Sequence, residues 1–228
     1  MSPSRTNKVM AKRAPGRPTQ SDAVELRERI LAVALEEFLA KGFGAASIEG
    51  IARAAGVNKD TLYRQFGGKD RLYRESVLHS FQSVPRAEMP MSEIDGDVEA
   101  TLAAVMRRLH RTLTTPRALA VMSMTITQAA LFPDLATTVR EDTREYLRPL
   151  ADYLRRRCAD GSLDIADPED AAEMFSTAAM GGMRFMYEPP LRGKALDEFV
   201  RMRLDILLRG WKYRPTTAAR RPARRRST

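Results

Sequence analysis

Between Ser47 and Lys69 the chain reads SIEGIARAAGVNKDTLYRQFGGK, with its hydrogen-bonding and cationic side chains gathered around Gly56. Thr61, Tyr63 and Arg64 carry donors that suit phosphate oxygens or base edges, and Lys59 and Lys69 add positive charge. Ser47 stands where a hydroxyl at a helix N-terminus can hold a phosphate. This is chemistry of holding a polyanion, with no bond made or broken. For bond-making the sequence offers little. The glycine-rich GFGAAS of residues 42–47 follows a helical pattern, whereas a dinucleotide fingerprint needs a preceding strand. The chain has two histidines and no Gly-x-Ser-x-Gly elbow. No catalytic residue, metal-ligand set or cofactor is therefore expected.

Such side chains need short helices to aim them. Leu26, Ile30, Ala34 and Phe38, with Leu31, Leu35 and Leu39 beside them, recur every four residues and stop at Lys41-Gly42. Ser47 then offers an N-cap with Glu49 in the first turn, and Ile51, Ala54 and Ala55 form an apolar side up to Gly56. Asn58 caps a third segment whose Leu62 and Phe66 point inward and leave Lys59, Asp60, Thr61, Tyr63, Arg64 and Gln65 outward. Two short helices crossing at a glycine, with Ala52, Ala55, Val57 and Leu62 facing one another, make a helix-turn-helix. The spacing alone is shared by any helical hairpin with a glycine turn.

The rest of the chain is also helical. Residues 69–84 carry Leu72, Tyr73, Ser76, Val77 and Phe81 on one stripe, and the Pro- and acid-rich stretch after Val84 reads as a linker. Helices are expected over 98–114, 117–131, 134–160, 168–188 and 195–213. Pro116, Pro133 and Pro168 stand at helix starts, and Pro149 should kink the long helix that contains it. No run alternates as a strand would, so the fold class is all-α. The organisation expected is a basic arm (1–20), a three-helix DNA-binding unit (21–68), a larger helical domain (69–213, with 69–84 linking the two) and a basic tail (214–228).

Charge agrees with that division. Residues 1–74 hold 14 Lys/Arg against 8 Asp/Glu, residues 75–213 hold 18 against 21, and residues 214–228 hold 6 against none. The basic ends suit a polyanion partner, although basic tails also serve solubility. The Gly-Arg-Pro arm "KRAPGRP", Lys12 to Pro18, is read equally as a minor-groove arm or a solubilising tail. The single cysteine, Cys158, excludes an internal disulfide. No run is long and apolar enough to span a membrane, and the N-terminus lacks an apolar signal core, so the expected location is the cytoplasm with no membrane partner.

The run RILAVALEEFLAKGFGAASIEGIARAAGVNKDTLYRQFGGKDRLYRESV, Arg29 to Val77, resembles the N-terminal DNA-binding region of the tetracycline-repressor (TetR) family of bacterial transcription regulators. The markers are Gly42, Ile48, Ile51-Ala52, Ala55-Gly56-Val57, Thr61-Leu62-Tyr63, Phe66 and Lys69. Further on, LFPDLA (131–136) and YLRPLADYLRRRCADGSL (146–163) are similar to the AefR-like branch. The resemblance implies a homodimer that binds a double-stranded DNA operator near a promoter and leaves it when a small-molecule effector enters the C-terminal domain. It also implies that Ser47, Asn58, Lys59, Thr61, Tyr63, Arg64 and Lys69 face DNA. Asn58 stands where Ser or Thr is commoner, and either type can cap. Asp60 departs further; it either strengthens the N-terminus of its helix or accepts from a cytosine amino group.

On that footing, methionines and a few polar groups of the C-terminal helices are candidates for the effector pocket: Met106, His110, Met122, Thr125, Gln128, Phe132, Tyr146 and Phe175. Most of these also read as ordinary core. Small and apolar residues of the last two helices, Ala171, Phe175, Ala178, Phe199, Met202, Leu207 and Trp211, are candidates for a four-helix dimer interface. The same residues could instead cover the domain's own core.

Overall fold

The computed structural model describes residues 20–84, 97–182, 184 and 188–214. The basic arm, the acidic linker of 85–96 and the tail beyond Arg214 lie outside the described residues. Among the described residues there are nine α-helices: α1 (Gln20–Ala45), α2 (Ile48–Ala55), α3 (Lys59–Phe66), α4 (Lys69–Gln82), α5 (Val98–Leu113), α6 (Pro116–Thr127), α7 (Pro133–Ala159), α8 (Pro168–Met180) and α9 (Gly193–Gly210). Proline occupies the first turn of α6, α7 and α8, where its missing N–H costs no hydrogen bond. Asp167 caps α8 by accepting from the backbone N–H groups of Glu169 and Asp170.

Three boundaries differ most from the sequence reading, and the end of α9 falls at Gly210 where residue 213 was expected. Gly42, at φ 72°, interrupts α1 as expected, but Phe43–Ala45 then make one more helical turn. The helix expected over 168–188 stops at Met180, because Gly181 (φ 88°) and Gly182 (φ 61°) both take left-handed backbone. α6 ends at Thr127, before Leu131, where Gln128 leaves helical geometry. α7 runs on through Pro149 as one helix of 27 residues. On α2, Ala54 is exposed; the buried side is Ile48, Ile51, Ala52 and Ala55, one position round the helix from the expected stripe.

The buried apolar residues form two cores. The C-terminal core takes its side chains from α5, α7, α8 and α9. The N-terminal core joins α1 to α4, and it also takes Val121 and Met124 from α6 and Phe132 and Leu135 from the α6–α7 corner. Phe132 stacks on Tyr73 with ring centres 4.8 Å apart and meets Phe43 edge-on at 5.0 Å. Phe38 meets Tyr73 edge-on at 5.2 Å. Each such pair adds about 0.5–1.5 kcal/mol beyond the burial of its area. The Tyr73 hydroxyl donates to the Met124 carbonyl oxygen at 3.3 Å, and the Arg74 guanidinium lies 4.9 Å from the Phe132 ring centre. The α6–α7 corner is thus built into the N-terminal unit.

Candidate nucleic-acid interface

α2 and α3 are eight residues each, too short to be stable alone. Local bonds define their ends and the N-terminal core fixes their places. Ser47 caps α2 by accepting from the Gly50 N–H at 3.1 Å. α2 closes with Gly56 at φ 66°, where the Gly56 N–H donates to the Arg53 carbonyl (3.2 Å) and the Val57 N–H reaches back to the Ala52 carbonyl (3.0 Å). This pair of bonds is a Schellman motif, and it turns the chain within two residues. Asn58 then caps α3 by accepting from the Asp60 N–H at 3.1 Å. Leu62 and Phe66 are fully buried beneath α3, and Arg27 of α1 lies 5.2 Å from the Phe66 ring centre while pairing with Glu75 of α4. The helix is braced from below and behind.

Its other side is open. Asn58, Lys59, Asp60, Tyr63 and Arg64 are exposed and Thr61 is half-buried, with Tyr63 at 48% exposure despite its large ring. Ser47 is exposed at the start of α2. Asp60 lies in the first turn of α3, where its charge suits the positive end of the helix dipole. Lys59 approaches Glu49 at 3.9 Å, a pair exposed on both sides and correspondingly weak. Lys69 is placed differently from the other candidates. Its amine donates to the Gly44 carbonyl at 3.1 Å and sits 4.6 Å from the Phe43 ring centre, so it ties the start of α4 to the end of α1. Arg53, which the sequence reading passed over, is exposed on α2. A lone arginine between two alanines carries no spacing signal to single it out.

The eight candidate effector residues do not meet in one place. Met106, Tyr146 and Phe175 are buried in the C-terminal core, and Phe132 belongs to the N-terminal one. His110 is 2% exposed and acts as a staple: its Nδ1 lies 2.8 Å from the Ala179 carbonyl, and its Nε2 accepts from the Leu191 N–H at 3.2 Å. Those partners define the tautomer protonated at Nδ1. Thr125 donates to the Val121 carbonyl, and Gln128 ends α6. Met122, half-buried, lines a cavity of about 340 Å³ between α1, α4, α5 and α6.

The dimer candidates divide by helix face. Ala171, Phe175, Phe199, Leu207 and Trp211 face the domain's own core, with Phe175 stacked on Trp211 at 6.2 Å. Ala178 is partly buried against that core, and Met202 is 52% exposed. Two further residues accompany Met202 in the open: Met174 on α8 (46%) and Ile206 on α9 (64%). The spacings 174/178 and 202/206 are single helical turns, a signal that was present in the sequence but merged with the inward stripes.

Comparison with known proteins follows this division. Residues 30–75 match the family of bacterial regulatory proteins described as the tetR family, and residues 100–211 match the C-terminal domain of AefR-like transcriptional repressors. The chain is 36% identical over 95 residues to the uncharacterized HTH-type transcriptional regulator TtgW of Pseudomonas putida, covering 41% of this chain and 70% of TtgW. It is likewise 36% identical over 95 residues to the HTH-type transcriptional regulator SrpR of the same species, again 41% of this chain. That match spans only 44% of SrpR's length. Among solved structures, the flavonoid-responsive regulator FrrA superposes with a TM-score of 0.68 at 26% identity, covering 82% of this chain and 97% of FrrA.

Proposed function

Because the chain belongs to the TetR family of bacterial transcription regulators, we propose that it is a cytoplasmic repressor, a homodimer that holds an inverted-repeat operator and releases it on binding a small molecule. The observation that carries this reading is α3, a short helix with a polar, exposed outer side and two fully buried anchors, Leu62 and Phe66. A helix so fixed presents Thr61, Tyr63 and Arg64 to a major groove as a rigid unit. Asn58, Lys59 and Ser47 sit at its approach for the phosphates, with Lys69 holding the corner behind it. Arg53 joins them as a further phosphate contact.

Two such helices read an inverted repeat when a dimer sets them about 34–36 Å apart, one turn of duplex. The exposed sides of α8 and α9, with Met174, Met202 and Ile206, supply an apolar surface for that pairing. The effector reading draws support from FrrA, whose description as flavonoid-responsive points to a small organic ligand in a related regulator.

Footprinting on the DNA that flanks the protein's own gene, without effector, tests the operator. Arg64→Ala is expected to weaken binding by about 1–3 kcal/mol and to relax sequence preference at one position. If neither Arg64→Ala nor Tyr63→Ala weakens it, α3 is not the reading element. Light scattering tests the dimer: Ile206→Glu should give monomers, and a wild type that is already monomeric at micromolar concentration removes the operator geometry.

A further inference from the structure

We propose that the effector binds in the cavity between α1, α4, α5 and α6, at the seam of the two units, and that it is an uncharged, largely apolar small molecule. The proposal rests on the release reading above and assigns it a place and a ligand class. The cavity measures about 340 Å³, at the lower end of the range for small-molecule sites and too small for a peptide helix. Its walls come from both units. Leu35 of α1, Phe81 of α4 and Val84 just past the end of α4 face Leu113 of α5 and Met122 of α6 across it. Most of this lining is apolar, so an occupant gains chiefly by leaving water.

The polar groups define the rest of the ligand. Among the described lining residues only His79 and Arg117 can carry charge. Arg117 is paired with Glu36 of α1, which leaves a ligand carboxylate to compete with Glu36 for that guanidinium, and the rest of the lining is chiefly apolar. Thr115 accepts from the Ala118 N–H at 3.2 Å, and Ser83 donates to the His79 carbonyl at 2.6 Å. Each hydroxyl oxygen retains accepting capacity, and Ser80 and Thr112 add two more hydroxyls to the lining. One or two hydroxyl or amine groups on an otherwise apolar frame match this set. The C-terminal core, by contrast, is closed around Met106, Tyr153 and Phe175, each fully buried.

Position gives the site its leverage. α4 packs along α1 and also touches α6, so a molecule lodged between them presses on the unit that carries α3 without an intermediary. The Arg117–Glu36 pair joins α6 to α1 beside the same cavity and must adjust when the walls part. A shift of the two α3 helices relative to each other is enough to lose the operator, with a coupling of about 5- to 150-fold in affinity.

The test uses N-phenyl-1-naphthylamine, an uncharged apolar fluorophore, as the probe. Full-length protein is expected to bind one probe per protomer saturably, and Ala118→Phe, which adds a ring to the α6 wall, should weaken that binding by about tenfold or more. Ala32→Phe does the same from α1, where Ala32 is exposed and the fold tolerates added bulk. Circular dichroism confirms that both variants are folded. Operator affinity is measured with and without probe, and the probe should weaken it in the wild type and much less in the variants. The assignment is overturned if the wild type shows no saturable binding, or if both variants bind the probe as the wild type does. It is also overturned if Tyr146→Ala, in the C-terminal core, removes binding while the two cavity variants keep it. A wild type that binds the probe but no operator defeats the release reading and leaves the cavity assignment standing.

Discussion

The two hydrophobic cores are built on different plans. The C-terminal one is made within its own half of the chain, from α5, α7, α8 and α9. The N-terminal one is not: α1 to α4 are completed by Val121, Met124, Phe132 and Leu135, which arrive from the other half. A DNA-reading unit that relied on α1 to α3 alone would bury little surface, and small units are marginal for that reason. Closing the core with the α6–α7 corner both stabilises the unit and ties its orientation to the helices that carry the cavity. What the second core holds within itself, the first shares across the seam.

The sharpest way to break this comparison is to remove the shared ring. Phe132→Ala should cost about 3–5 kcal/mol, as should Phe175→Ala in the C-terminal core. Denaturation followed separately by operator binding and by Trp211 fluorescence distinguishes them. Phe132→Ala should lose operator binding first, and Phe175→Ala should disturb the tryptophan first. If both probes move together for both variants, the cores are one cooperative unit and the contrast fails.

Gly56→Ala comes next. No atom lies within 4 Å of where its Cβ would stand, so crowding is absent and the cost is that of left-handed backbone alone. About 1–2 kcal/mol is expected, felt as lost stability of the reading unit while the C-terminal core is untouched. A much larger loss would show that the turn transmits strain into α3.

Tyr73→Phe probes the seam more gently, with a loss of about 1 kcal/mol for the bond to Met124. It also carries a pH signature. Burial pushes the Tyr73 phenol up to about 12, above its ordinary value of 10.0. The resulting stability is fully present below pH 10 and lost as pH rises through the folded value. Alkaline unfolding of the wild type should therefore be steeper over that window than that of Tyr73→Phe, and identical slopes would remove the phenol from the seam. The smallest effect is Lys59→Ala, whose exposed partner Glu49 at 3.9 Å makes the stability change at most about 0.5 kcal/mol. Operator affinity, with a reduced salt slope, should register the loss instead.

What could be read beforehand follows from how local each signal is. Ser47 and Asn58 as caps, Gly56 as the turn and Leu62 and Phe66 as anchors are all decided within one or two helical turns, and each stands where the sequence put it. Phe132 is an aromatic beside a turn, and nothing in its neighbourhood says which of two cores it enters. The small residues of α8 met the same limit. Ala171 and Phe175 pack inward while Met174 faces out, and choosing between those faces needs α9 in place. Lys69 reads as one more cation near the reading helix, yet the ring and carbonyl that engage it lie 25 and more residues earlier in the chain. The cavity was illegible for the same reason, since its walls come from four separate helices.

The closure of the reading unit by Phe132 bears on anyone who would transplant it. Cutting the gene after α4 and fusing the front piece to a foreign sensor leaves behind the ring that fills the space between Tyr73 and Phe43. A functional hybrid has to carry Val121 to Leu135 along as a second, discontinuous graft, or supply a comparable aromatic from the recipient.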